Sequence, residues 1–376
     1  MKFKTFPKMC LLGIAFALST AVVDASAEII FEENFNEQPD WTADRLIRSI
    51  FSAPKDWYAG RSDPVWSPAT KFQSKHATAE ILSTNWDKAR NKSGKSFVAW
   101  RESYAPPGDW VKFNSDGLIL KYFPGGYDEL YAEFWITLSD EMINSYYQGT
   151  VGQSKIFRVY HFNGNENSVF DYFGDENKPS FNWDISGSTK YGIRNFQAYL
   201  ARGKNDIGRF VKGLPKGASM QGSGDVSLWY SSSATGGMGV GGKSPKLQDY
   251  KTGGVITSGP IHIDQLFGDQ DQWVKIAFYV KMNSAPGVAN GELMQFINDE
   301  RVLHTTSIPW IRDGFDMVKW NTVGIGGNDA FRLYSNSERY EDWYAIDDVV
   351  IRSDLPPRLK DSRFSPPSSP EGIEVK

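Results

Sequence analysis

Arg158, Tyr160 and His161 fall within four consecutive residues of Lys155-Ile156-Phe157-Arg158-Val159-Tyr160-His161, and a second segment, Tyr191-Gly192-Ile193-Arg194-Asn195, carries the same mixture of phenol, guanidinium and amide. A guanidinium forks onto a carboxylate through two hydrogen bonds, and a phenol or imidazole held beside it moves protons at a pH set by its neighbours. Such a set suits proton abstraction next to a carboxylate. Structural roles compete: Arg158 and Tyr160 as a buried pair, His161 as the cap of a strand end. In a strand, Arg158 and Tyr160 share one face and His161 takes the other, so all three line one surface only if a bulge intervenes.

Other chemistries find less support. His76, His161, His262 and His304 show no zinc-ligand spacing, and the only cysteine is Cys10. The run Gly236-Gly237-Met238-Gly239-Val240-Gly241-Gly242 lacks the Lys-Ser/Thr ending of a phosphate loop.

The elements that must position these residues are strands. In Glu129–Ile136 the set Leu130, Ala132, Phe134 and Ile136 alternates with Glu129, Tyr131, Glu133 and Trp135; in Gln272–Lys281 the set Val274, Ile276, Phe278 and Val280 alternates with Trp273, Lys275, Tyr279 and Lys281. Ser154–Phe162 and Tyr344–Ile351 also read as strands, with apolar residues on both faces, and Pro124-Gly125-Gly126 and Ala289-Asn290-Gly291 mark turns. Helical periodicity is confined to Asp44–Phe51 and Asp140–Tyr147, and residues 203–259 read as a long insertion. Many strands without βα alternation predict an all-β fold, a two-sheet antiparallel β-sandwich with long loop insertions. If one sheet curves, its outward face becomes a groove lined by tyrosine, tryptophan and charged side chains. Trp100, Tyr131, Glu133, Trp135 and Arg158 are its expected binding residues.

Composition agrees. The 376 residues are 40% hydrophobic and 14% aromatic, with 35 glycines, a bias toward β-structure and flat stacking surfaces. Lysine and arginine total 41 against 45 acids, a net charge of −4, which argues against a nucleic-acid partner. Lys2, Lys4 and Lys8, the apolar run Cys10–Leu18 and Ala25-Ser26-Ala27 follow the order of a secretory signal, with cleavage expected after Ala27. No later run approaches the roughly 20 apolar residues of a spanning helix, so no membrane partner is expected after cleavage. The expected organisation is a signal at 1–27, one domain at 28–354 and a proline- and serine-rich disordered tail at 355–376, in a secreted or periplasmic protein without disulfides.

The order of segments resembles a concanavalin A-like jelly roll. The residues that carry the likeness are Glu28–Phe35, the strand ending Trp135-Ile136, Trp273–Asn283 followed by Asn290-Gly291-Glu292-Leu293, Asn321–Asn328, and Trp343–Val350. More narrowly, the chain resembles the secreted polysaccharide lyases of that fold, which cleave alginate, glucuronan or heparin-type polymers. The resemblance implies polysaccharide degradation by β-elimination on an anionic, uronate-containing substrate. Glycoside hydrolysis and lectin-like binding on the same scaffold are the alternatives.

Ser96–Ser103 is similar to the arginine-bearing strand of alginate lyases, so the resemblance places Arg101 in the groove, where it would be replaceable with little loss of stability. Lys155–His161 is similar to their following strand, whose histidine matches His161. Where such lyases place a catalytic tyrosine, Val323-Gly324-Ile325-Gly326-Gly327 offers only glycine. The implied roles are then Tyr160 or Tyr191 as base and acid, His161 and Asn195 at the carboxylate, and Arg101 and Arg194 as its charge partners. Related domains bind Ca2+ between their first and last strands, which nominates Glu32, Glu33, Asp347 and Asp348 as hard-oxygen ligands. For hydrolysis, which needs two carboxyls about 5–10 Å apart, Glu129, Glu133 and Glu102 are the available acids; the compact acid motif of laminarinase-like hydrolases is absent.

Overall fold

The computed structural model describes residues 28–43, 48–49, 53–63, 76–102, 114–148, 154–171, 179–189, 192–196, 225–227, 229–230, 246–329 and 341–360. The expected signal segment lies outside them.

Two large antiparallel sheets stack face to face. One runs in the order β19 (Glu300–Ile308), β18 (Gly291–Ile297), β17 (Val274–Lys281), β8 (Glu129–Leu138), β21 (Glu341–Arg352), β6 (Phe97–Glu102), β5 (Ala79–Ile81) and β2 (Trp41–Thr42); β1 (Ile29–Glu33) pairs with the far end of β21. The other runs in the order β12 (Asp225–Ser227), β11 (Gly192–Phe196), β10 (Ser180–Ser188), β9 (Ser154–Tyr160), β20 (Trp320–Asp329), β7 (Asn114–Tyr127), β4 (Ala59–Asp63) and β3 (Arg48–Ser49). This is the expected two-sheet antiparallel sandwich. Part of the expected insertion forms β12 and two short ribbons, β13 (Trp229–Tyr230) with β16 (Gly259–Pro260) and β14 (Gln248–Asp249) with β15 (Gly254–Val255).

Alternation decides what fills the space between the sheets. Leu130, Ala132, Phe134 and Ile136 of β8 and Val274, Ile276, Phe278 and Val280 of β17 meet Phe157 and Val159 of β9 and Phe181, Trp183 and Ile185 of β10. Phe157 stacks on Phe278 with centroids 5.1 Å apart, which locks the layers at their centre. The helix α1 (Asp140–Gln148) adds Met142, Ile143 and Tyr146 to the same core.

Two sequence expectations change. Within Asp44–Phe51, expected to be helical, Arg48 and Ser49 instead pair with Arg61 and Gly60, because β4 offers them an open edge. The expected tail from 355 onward does not begin there. Leu355 and Leu359 pack against Tyr131, Tyr279, Met294 and Phe296 on the outer face of the nine-stranded sheet, and Arg358 pairs with Glu133, so residues 355–360 are docked by apolar burial and charge together.

Candidate active face

The outer face of the eight-stranded sheet gathers the polar groups. In β9, Phe157 and Val159 go to the core, so alternation sends Arg158 and Tyr160 outward. The cross-strand neighbours of Arg158 are Asn182 on β10 and Gly324 on β20; those of Tyr160 are Ser180 and Thr322. Beyond β20 the row continues through Leu120 of β7 to Ala59 of β4, with Leu118 beside Arg61. Asn182 donates from Nδ2 to Ser180 Oγ at 3.1 Å.

The glycines of β20 form the bed of Arg158. A Cβ at Gly324 would stand 2.6 Å from Leu120 Cδ2 and 3.0 Å from Arg158 Cγ, and one at Gly327 would overlap the guanidinium. Where a tyrosine was sought, missing side chains make room for an arginine instead. Arg158 is fully buried, donating from Nη1 to the Gly326 carbonyl at 2.8 Å and from Nη2 to that of Lys155 at 3.4 Å. Tyr160 is also buried, and its phenol donates to the Val169 carbonyl. That carbonyl belongs to residues 161–171, which fold back over the face. Phe162 packs edge-on to Tyr122 at 5.0 Å and tilted against Tyr58 at 5.9 Å, and Arg61 lies 5.6 Å from the Phe170 ring.

The other expected site residues do not all join this face. His161 follows the last residue of β9; its Nδ1 bonds the Lys319 carbonyl at 2.9 Å and its backbone N–H donates to that of Pro179, so it ties down the strand end. The one bulge between β9 and β10 lies at Trp183/Asp184, before Arg158, and does not turn His161 onto the face of Tyr160. Arg194 pairs with Ser186 and alternates with the core residue Ile193, which places its backbone position on the outer set. Asn195 pairs with Ile185 in the same ladder. Tyr191 lies outside the described residues.

Arg101 is the largest correction. On β6, Phe97 and Ala99 face the core whereas Val98 and Trp100 face outward, so alternation turns Arg101 inward, between the sheets. It is fully buried, 5.4 Å from the Tyr146 ring and opposite Asp342 in the ladder. Burial pushes the Asp342 carboxyl up to about 6, against the pull of Arg101. Both charges are held in the space between the sheets. A groove residue would look outward from the other sheet.

Trp100, Tyr131, Glu133 and Trp135 also part from Arg158: all four lie on the outer face of the nine-stranded sheet, the opposite side of the molecule. Their surfaces are already engaged. His76 stacks on Trp100 at 3.5 Å; Lys88 lies 5.5 Å from Trp100 and 5.3 Å from Trp343; Arg90 covers Trp135 at 3.8 Å. The phenols of Tyr131 and Tyr279 donate to Glu133 and Glu129, and burial drives both pKa values far upward, so both stay protonated. The acids Glu129 and Glu133 are thereby spent on this face.

The acids nominated for Ca2+ do not fit an ion. Glu33 accepts from the Phe35 backbone and from Gln38, Asp347 from the backbone N–H groups of Arg90 and Asp348, and Asp348 pairs with the Arg90 guanidinium. Among the described residues no three carboxylate, imidazole or thiol groups converge as a metal site. Sequence reasoning missed Asn182 and Arg61; the alternation Phe181-Asn182-Trp183 is the signal that points Asn182 outward.

No family model matches the chain, and no curated protein matches it. Among solved structures it is similar to the alginate lyase Aly36B, with 14% identity over 85% of this chain and 95% of that one and a TM-score of 0.45. It is also similar to the marine PL-14 alginate lyase from Aplysia kurodai (9% identity, 86% and 99% covered, TM-score 0.43) and to an endo-β-1,4-glucuronan lyase from the fungus Trichoderma reesei (10% identity, 86% and 95% covered, TM-score 0.39). The likeness is one of fold.

Proposed function

We propose that the protein is an exported polysaccharide lyase that cleaves a uronate-containing polymer on the outer face of its eight-stranded sheet. The observation that carries this reading is the single-faced set Arg158, Asn182 and Tyr160, with the backbone position of Arg194 on the same face. β-Elimination requires a uronate carboxylate to be neutralised, the C5 proton removed, and the C4–O bond broken as the C4–C5 double bond forms and the leaving oxygen takes a proton. Arg158 and Arg194 supply the positive charge and Asn182 the amide. Proton transfer falls to a tyrosine: Tyr160 once its phenol leaves the Val169 carbonyl, or Tyr191. The side chains of Tyr58 and Tyr122 at the β4 and β7 end supply ring surface for neighbouring sugars.

The test is incubation of the mature protein with alginate, polyglucuronate and heparin-type polymers, followed by ultraviolet absorbance of the new double bond. Reducing ends without that absorbance would mean hydrolysis, and binding without new ends would mean a glycan-binding module. N-terminal sequencing of the exported form, expected to begin at Glu28, tests the export half of the proposal.

A further inference from the structure

After β9 the chain reads Asn163-Gly164-Asn165-Glu166-Asn167-Ser168-Val169-Phe170-Asp171, turn-forming residues first and then two apolar side chains. The turn chemistry braces the segment on itself. Asn163 Oδ1 accepts from the Asn165 backbone N–H at 3.0 Å and from Ser168 Oγ at 3.1 Å, Asn165 Oδ1 accepts from the Asn167 N–H at 3.1 Å, and the Asn165 carbonyl accepts from the Ser168 N–H at 2.8 Å. Gly164 holds φ +83° with nothing within 4 Å of where a Cβ would stand, so glycine serves the backbone conformation there and not a close approach.

The attachment of this segment to the sheet is thinner. Residues 163–171 make a single hydrogen bond to the other described residues, the one that the Val169 carbonyl accepts from the Tyr160 phenol. Val169 is buried in the cluster of Ala59, Leu118, Leu120 and Tyr160, and Phe170 packs half-buried against it, its ring 5.6 Å from the Arg61 guanidinium. The residue just before the segment is held more firmly: Asn321 accepts from the Phe162 N–H at 2.7 Å and donates to the Phe162 carbonyl at 2.8 Å. A self-braced unit therefore hangs from a fixed point and closes on the sheet through one hydrogen bond and two apolar side chains. Segments with so few buried contacts open without global unfolding.

Charge decides what favours the open state. Glu166 and Asp171 are exposed and no residue of 163–171 is basic, whereas Arg158 and Arg61 lie in the face beneath. A polyuronate drawn to the arginines is repelled by the closed segment, so it binds the open state better and shifts the population toward it. We propose that residues 163–171 are a lid over Tyr160, closed in the free protein and displaced by an acidic polymer. The phenol that holds the lid shut is then released for proton transfer only when substrate lies on the face. The identity of the displacing polymer rests on the lyase reading; the local opening does not.

The experiment places one thiol under the lid. The only cysteine, Cys10, precedes the expected cleavage point, so Val169→Cys gives the mature protein a single reporter of similar volume, and Ala132→Cys places a reference thiol in the core between the sheets. Iodoacetamide should label the folded Val169→Cys protein about 100-fold faster than Ala132→Cys, because only the first thiol is reached by local opening. Added to Val169→Cys, Phe170→Ala should speed labelling about tenfold by removing apolar contact, and Tyr160→Phe about two- to tenfold, the usual scale for one hydrogen bond. A polymer that yields the ultraviolet absorbance of the double bond should speed labelling of Val169→Cys by about tenfold more and leave Ala132→Cys unchanged. Absorbance from a polymer that leaves the Val169→Cys thiol as protected as before overturns the lid and keeps the lyase. Faster labelling of Val169→Cys than of Ala132→Cys, without absorbance from any polymer, keeps the lid and overturns the lyase and the polymer that opens it. Equal labelling of the two thiols, or no response to Phe170→Ala and Tyr160→Phe, overturns the lid outright.

Discussion

The two sheets turn unlike faces outward, and both are rich in the residue types expected of a sugar site. On the nine-stranded sheet the rings of Trp100, Trp135 and Trp343 are covered by His76, Lys88 and Arg90, and residues 355–360 lie over Tyr131 and Tyr279. On the eight-stranded sheet Arg158 and Asn182 stand beside a row of missing side chains, with Tyr58 and Tyr122 at one end. Aromatic and charged residues in alternation therefore do not by themselves mark a binding face. A ring already stacked on a cation of its own chain contributes to stability, at roughly 0.5–2 kcal/mol per pair, and offers a sugar less free surface.

The same contrast separates two buried arginines, and it is broken most forcefully at Arg101. Removing the guanidinium leaves Asp342 buried between the sheets without its ladder partner, so Arg101→Ala should cost about 3–5 kcal/mol in denaturant unfolding. The double variant Arg101→Met/Asp342→Leu, which removes both charges, should regain most of that loss. A single variant as stable as the native protein would return Arg101 to a groove.

Arg158 is the counterpart on the candidate face. If the proposed lyase activity holds, Arg158→Lys, which keeps a charge but loses the fork, should lower kcat/KM on the uronate polymer by about 10²–10³-fold, the usual scale for losing one preorganised charge-stabilising donor. Trp135→Ala, on the opposite side, should leave kcat/KM within about twofold. Equal losses in the two variants would erase the distinction between the faces. Gly324→Ala tests the bed itself. The new methyl meets Leu120 and Arg158 Cγ at overlapping distances, so the variant should lose about 1–3 kcal/mol of stability and part of the activity together.

Some of this was legible in the sequence. The strands β8 and β17 each have one apolar and one mixed face, so period-two alternation assigned their inward residues correctly. That signal says which way a side chain leaves its own sheet, not which sheet the strand joins, so Tyr131, Glu133 and Trp135 were placed outward correctly but do not share a face with Arg158, which leaves the other sheet. In Phe97-Val98-Ala99-Trp100 both alternate sets are apolar, and alternation had nothing with which to orient Arg101; the partners that orient it, Asp342 and Tyr146, come from distant parts of the chain. Asn182 was readable between Phe181 and Trp183. The bed under Arg158 was not, since a glycine in a strand reports an absence and only the neighbouring strand reveals what fills it.

The smallest expected effect concerns Asp347, whose carboxyl lies on the outer side of the nine-stranded sheet opposite Trp135 and accepts the backbone N–H groups of Arg90 and Asp348. Burial pushes its pKa up to about 7; the two N–H donors and the Arg90 guanidinium oppose the shift, and the Asp348 carboxylate adds to it. The unfolded chain titrates near the ordinary aspartate value of about 3.9. Between these two values the folded state holds the extra proton, so the contribution of this group to stability is fully present below about pH 4 and is lost as pH rises through about 7. Asp347→Asn keeps an acceptor oxygen and removes the titration. Its unfolding free energy should thus fall less steeply than that of the native protein between pH 4 and 7, with the slope difference vanishing above about pH 8. Parallel curves for the two proteins across that window would show that the carboxyl under Arg90 stays ionised, and that this face is held by charge pairing rather than by burial.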